Sequence, residues 1–129
     1  MSSDTKIATA VGPEIRPSLQ FAFGPDRRLG PGKIALLEGI IATGSISAAG
    51  RGMGMSYRRA WLLVDALNHM FAEPVVIAAA GGAKGGGAQV TETGRRLVAA
   101  YRAIEKRTLR DARASFAEFA FRETPPPSS

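Results

Sequence analysis

A mainly α-helical chain with one small β-hairpin and a long carboxy-terminal helix is the fold class predicted here, and three observations predict it. Apolar residues recur every three or four positions along stretches beginning near Lys33, Ser56 and Thr91. Two short β-prone runs, Val75-Val76-Ile77 and Ala88-Gln89-Val90, flank a glycine-rich loop. Hydroxyl residues suited to capping helices, Ser45, Ser56 and Thr91, stand where helical patterning starts.

Composition bounds the function. A chain of 129 residues supports one compact domain with an arm or helix appended. With no Cys there is no disulfide, thiolate nucleophile or Cys-based metal site, and the single His69 argues against a hydrolase triad or a His-rich metal site. No enzyme, no metal and no cofactor is therefore expected. The longest uncharged apolar stretch, Pro74 to Ala83, is far short of the ~20 residues a membrane span needs, and Met1 to Ala10 lacks a signal-peptide pattern. The expectation is a cytoplasmic protein without membrane contact. The formal net charge of +6 points toward polyanions only if it is concentrated, and residues 25–72 carry six basic side chains against three acidic ones.

The elements follow in chain order. Met1 to Pro17 shows no sustained period and contains Gly12, Pro13 and Pro17, so residues 1–17 read as a disordered arm. Leu19, Phe21 and Phe23 alternate with Ser18, Gln20 and Ala22 as in a half-buried strand, closed by Gly24-Pro25, and Leu29-Gly30-Pro31-Gly32 reads as a turn. Lys33 to Thr43 is a first helix with Ile34, Leu37, Ile40 and Ile41 on its apolar face, stopped by Gly44. Ser45 caps a short second helix through Arg51, and Gly52-Met53-Gly54-Met55 breaks it. Ser56 caps a third helix to about Phe71, ended by Glu73-Pro74. Pro74 to Ala80 and Ala88 to Val90 form the hairpin. Thr91 caps a last helix that nothing stops before about Arg122, roughly 46 Å away. The expected parts are an arm (1–17), a DNA-binding domain (18–91), a dimerisation helix (92–123) and a disordered Pro-rich tail (124–129).

Ile46 to Leu67 has the pattern of a helix–turn–helix. Two short helices that cross closely need a small residue at the crossing, supplied by Gly50, and a tight turn tolerating positive φ, supplied by Gly54. In the second of these helices Ala60, Leu63, Val64, Leu67 and Phe71 share one stripe, the core face, while Arg58, Leu62, Asp65 and His69 lie opposite. The first turns of such a helix meet base edges in the major groove. Tyr57, Arg58 and Trp61 are thus candidates for base or groove contacts, with Arg58 suited to a bidentate contact with guanine. Ser45, Ser47, Ser56, Arg59 and Arg95 are candidates for phosphates. The blander readings are that the serines serve only as caps and the arginines only as solvated charges.

Gly81 to Gly87 resembles a phosphate cradle only superficially: no Gly-Lys-Ser/Thr follows, and the chain returns into a strand instead of opening onto a helix. It reads as the wing of a winged helix–turn–helix, with Lys84 at the tip to touch phosphate. The last helix carries Tyr101, Ile104, Leu109, Ala112, Phe116 and Phe119 at spacings of mostly three and four, and beyond Thr108 this stripe has no sequence-local partner. That predicts a homodimer, which would present two reading heads to a pseudo-palindromic operator.

Several motifs together resemble the amino-terminal domain of the ModE-type molybdate-responsive transcriptional regulators. They are Leu29-Gly30-Pro31-Gly32-Lys33-Ile34-Ala35-Leu36-Leu37, Thr43-Gly44-Ser45-Ile46-Ser47-Ala48-Ala49, Gly54-Met55-Ser56-Tyr57-Arg58-Arg59-Ala60-Trp61 with Asn68, and the glycine-rich loop running into Val90-Thr91-Glu92-Thr93-Gly94. The similarity extends over about residues 18–105. It implies a LysR-type winged helix, a dimer through the long helix, and an operator near molybdate-transport or molybdoenzyme genes. Gly50 and Gly52 depart from the better helix formers usual there, and Ile77-Ala78-Ala79-Ala80 is less polar than the equivalent stretch. Members that sense molybdate do so through carboxy-terminal oligosaccharide-binding-like domains, whereas here about 25 residues follow the resemblance, so direct molybdate binding is not expected. The resulting expectation is a sequence-specific, dimeric DNA-binding regulator. Its rivals are a non-specific architectural DNA-binding protein and a winged helix used for protein contacts.

Overall fold

The computed structural model describes residues 14–79 and 87–122. These fall into two compact units, a headpiece of Ser18–Ile104 and a second unit comprising, among the described residues, 14–17 and 105–122. The element order is β1 (Phe21–Ala22), β2 (Arg28–Leu29), α1 (Pro31–Thr43), α2 (Ile46–Gly52), α3 (Tyr57–Met70), β3 (Val76–Ala79), β4 (Gly87–Val90) and α4 (Glu92–Phe116). This is a mainly α winged helix–turn–helix.

The amino-terminal alternation does form a strand, but its partner corrects the reading of Leu29-Gly30-Pro31-Gly32 as a turn. Phe21 pairs with Leu29 and Ala22 with Arg28, antiparallel, so Leu29 is a strand residue and is buried. Helix α1 then begins two residues earlier than the apolar period indicates. Pro31 occupies its first turn, where a missing N–H costs nothing and the fixed φ already suits a helix.

The headpiece core is built by Ile34, Leu36, Leu37 and Ile40 of α1, Ala60, Val64 and Leu67 of α3, and Val75, Val76 and Val90 of the hairpin region. The strands β3 and β4 are antiparallel, Val76 opposite Val90 and Ala79 opposite Gly87. The Ala88 N–H also donates to the Gly44 carbonyl at 2.9 Å, fastening β4 to the α1–α2 turn. Thr91 joins the hairpin to α4. Its hydroxyl donates to the Pro74 carbonyl at 2.8 Å and accepts the Gly94 N–H at 3.0 Å.

Tyr101 and Arg102 help to hold the headpiece part of α4. The Tyr101 hydroxyl donates to the Leu19 carbonyl at 2.6 Å, and its ring meets Phe21 edge-on with centroids 6.0 Å apart. The Arg102 guanidinium grips Glu38 of α1 with both carboxylate oxygens, at 2.7 and 2.9 Å. That hydrogen-bonded cation holds the Glu38 carboxyl below the usual carboxylate range, against a smaller opposing effect of partial burial. At 2% exposure Tyr101 is a core residue. Its side chain is spent inside its own headpiece, which removes it from the dimerisation set expected from the sequence.

In the second unit, residues 14–17 form neither helix nor strand, with Ile15 and Pro17 half-buried and Glu14 and Arg16 exposed. Of the expected disordered arm 1–17, residues 1–13 lie outside the described residues. Helix α4 ends at Phe116 instead of near Arg122. The Phe119 N–H turns back to the Phe116 carbonyl at 3.1 Å, and the two rings lie 6.3 Å apart. Phe116, Phe119 and Phe121 are exposed. Aromatic residues left exposed supply little to hold a helix turn, which is why the apolar spacing overestimates the helix.

Candidate nucleic-acid interface

The reading element is the α2–α3 pair, and two glycines position it. A Cβ built on Gly50 would stand 2.8 Å from the Ala60 Cβ, so the helices cross at a distance only glycine permits. Gly54 has φ +73°, the left-handed conformation that turns the chain from α2 toward α3. The turn is closed by the Met55 N–H donating to the Gly50 carbonyl at 3.0 Å.

Both helix starts are capped as their sequences predict. The Ser45 hydroxyl accepts the Ala48 N–H at 3.0 Å and the Ser56 hydroxyl accepts the Arg59 N–H at 3.1 Å. The Ser47 hydroxyl accepts from the Arg51 guanidinium at 2.9 Å. Each hydroxyl keeps its own hydrogen to donate, so capping and phosphate contact are compatible roles.

Tyr57, Arg58, Arg59 and Trp61 are all exposed and share the first two turns of α3. The core stripe of Ala60, Val64 and Leu67 is buried behind them. An open groove of about 300 Å³ runs between α3 and the β3–β4 hairpin, lined by Tyr57, Trp61, Asp65, Asn68, Ile77 and Ala88 among others. Asn68, one of the lining residues, ties the two walls together. The side-chain oxygen accepts the Val75 and Val76 N–H groups at 2.7 and 3.1 Å, and its amide donates to the Val76 carbonyl at 3.0 Å.

The remaining expected residues are dispersed. Arg95 is exposed on α4 within the headpiece, whereas Lys84 lies outside the described residues. Ile104 is half-buried in the headpiece. Leu109 and Ala112 are half-buried in the second unit, where Phe116 and Phe119 are exposed. Arg51, Leu62 and Ile77 are exposed as well. Arg51 stands four positions after Ser47, the spacing at which helical side chains meet, and the helical period already put Leu62 on the outer face of α3.

No protein-family model matches this chain. It is 55% identical over 78 residues to the molybdenum-pterin-binding protein MopB of Rhodobacter capsulatus, a match covering 60% of this chain and 29% of that protein. It is 39% identical over 71 residues to the DNA-binding transcriptional dual regulator ModE of Escherichia coli (strain K12), covering 55% of this chain and 27% of that regulator. The matched region is a ModE-like domain. The chain thus spans less than a third of the length of these relatives. A LysR family transcriptional regulator of known crystal structure superposes with a TM-score of 0.53 at 15% identity, covering 73% of this chain and 30% of that one. The ModE-like domain accordingly shares the LysR-type winged helix–turn–helix fold. No helix among its described residues is long and apolar enough to cross a membrane.

Proposed function

We propose that this chain is a sequence-specific DNA-binding transcriptional regulator that acts as a homodimer on pseudo-palindromic operators of molybdenum-related genes. The observation that carries the reading is the exposed first two turns of α3, presenting Tyr57, Arg58, Arg59 and Trp61 beside the hairpin. A relative named as a DNA-binding transcriptional regulator, 39% identical, supports it. In this reading Arg58 contacts guanine. Tyr57 and Trp61 enter the groove, while Ser45, Ser47, Ser56, Arg59, Lys84 and Arg95 hold phosphates. The dimer joins through Ile104, Leu109, Ala112, Phe116 and Phe119. The exposure of Phe116 and Phe119 supports this part, since burying each stabilises association by roughly 1.5–3 kcal/mol.

Selection of bound fragments from genomic DNA tests the reading, with recovery of a shared two-fold site as the expected outcome. Arg58→Ala then costs about 1–3 kcal/mol and relaxes one base pair, and Lys84→Ala lowers the salt slope by about one unit for all sequences. Parental binding by both variants overturns the docking arrangement. A monomer in equilibrium sedimentation at micromolar concentration overturns the dimer.

A further inference from the structure

The outward side of α3 carries large apolar side chains among its charged ones, on a surface proposed to meet a polyanion. Arg58, Leu62, Asp65 and His69 compose it by helical period, and Tyr57, Arg59 and Trp61 flank it near the helix start. Tyr57, Trp61 and Leu62, together with Ile77 on the facing strand, are between 44% and 57% exposed. Tyr57, Trp61 and Ile77 line one groove and form a patch, and Leu62 stands outside it on the outer face of the same helix. Exposed apolar patches mark binding surfaces, and the charge around this one says what it meets. Its neighbours on α2 and α3 are the exposed Arg51, Arg58 and Arg59, a basic rim that complements phosphates. Nothing apolar lines the major groove except the C5-methyl group of thymine; every other base edge offers donors and acceptors that Leu62 cannot engage and that Trp61 engages only through its indole N–H.

We infer that Trp61 and Leu62 read thymine methyl groups, so that each half-site carries thymines at fixed positions next to the base pair contacted by Arg58. This rests on the DNA-reading function proposed above and specifies its chemistry. Trp61 and Leu62 are specificity-determining residues in this arrangement. Ile77 closes the groove on the hairpin side and excludes water from the buried methyl.

The test alters the DNA, so that folding of the protein is not at issue. With the full chain and a selected operator duplex, each thymine of one half-site is replaced in turn by deoxyuridine, which removes only the methyl group. Binding is read by fluorescence anisotropy at fixed salt. The expected result is a loss of roughly four-fold at one or two positions per half-site, the worth of one buried methyl, and little change elsewhere. In Trp61→Ala or Leu62→Ala, which change exposed side chains, the thymine-to-uracil ratio at the matching position falls to about one while the duplex is still bound. Ratios near one at every position, with normal binding of the parent duplex, overturn the inference and leave the DNA-reading function standing. Unchanged ratios in both variants overturn it as well, and direct this face toward a protein partner. No binding to any selected duplex overturns both.

Discussion

The side-chain oxygen of Asn68 accepts the Val75 N–H at 2.7 Å, and through this bond the reading helix and the hairpin keep a fixed spacing. Asn68 also bonds the N–H and the carbonyl of Val76, so one amide group satisfies three backbone groups where the chain leaves α3 and enters β3. The groove beside Trp61 has its width because of this fastening.

Asn68→Ala leaves those three backbone groups without their partner. Each unsatisfied group costs about 1–3 kcal/mol when water cannot replace the bond, and since the site is only partly buried a total at the lower end, about 3 kcal/mol, is expected. Amide hydrogen exchange checks it: the Val75 and Val76 amides exchange faster in the variant, while those of α1 keep their protection. Unaltered exchange at both amides would show that the fastening is dispensable.

Gly50→Ala distinguishes packing from propensity. Helix propensity alone predicts a gain of about 1 kcal/mol. The 2.8 Å approach to the Ala60 Cβ predicts instead a loss of about 1–3 kcal/mol, because both groups belong to backbone-fixed positions and neither can rotate away. Urea unfolding gives the sign.

Tyr101→Phe removes one hydrogen bond and leaves the Leu19 carbonyl in an apolar setting, a cost of about 1–2 kcal/mol. Because this side chain is buried in its own headpiece, the variant keeps the oligomeric state of the parent. Thermal melting and equilibrium sedimentation, run side by side, report the two halves of the prediction.

The Glu38–Arg102 pair sets a pH dependence whose sign follows from its depressed carboxyl. The unfolded chain protonates Glu38 at a higher pH than the folded chain does, so acid favours unfolding. The stabilisation is fully present above the ordinary carboxyl range and is lost as pH falls through the lower, folded value. The two side chains are 40% and 37% exposed, and solvent screening keeps the effect below about 1 kcal/mol. Glu38→Gln is therefore less stable than the parent at pH 7, and the difference, largely kept at pH 5, shrinks in urea titrations repeated at pH 4 and pH 3.

Local signals were the legible ones. Ser45 and Ser56 cap helices three residues long in reach, and Gly54 needs only its own φ, so each could be recognised within a few positions. Gly50 was legible because the spacing between two short helices names its opposite number. What the sequence concealed depends on distant partners. Leu29 becomes a strand residue because Phe21 lies across from it, and the apolar stripe of α4 does not reveal which of its members the chain itself covers. Tyr101 and Phe116 share that stripe, yet one is buried and the other exposed. Leu62 showed its outward position in the period, but an aliphatic side chain on an outer face carries no local mark of use.

The bond from Tyr101 to Leu19 spans 82 residues, which has a consequence for biosynthesis. Translation proceeds at roughly 5–20 residues per second, so about 4–16 s separate the addition of these two residues to the nascent chain. Throughout that interval Phe21 and the first strand have no lid, and a chain halted before α4 would hold its apolar amino-terminal hairpin open to chaperones and to other nascent chains.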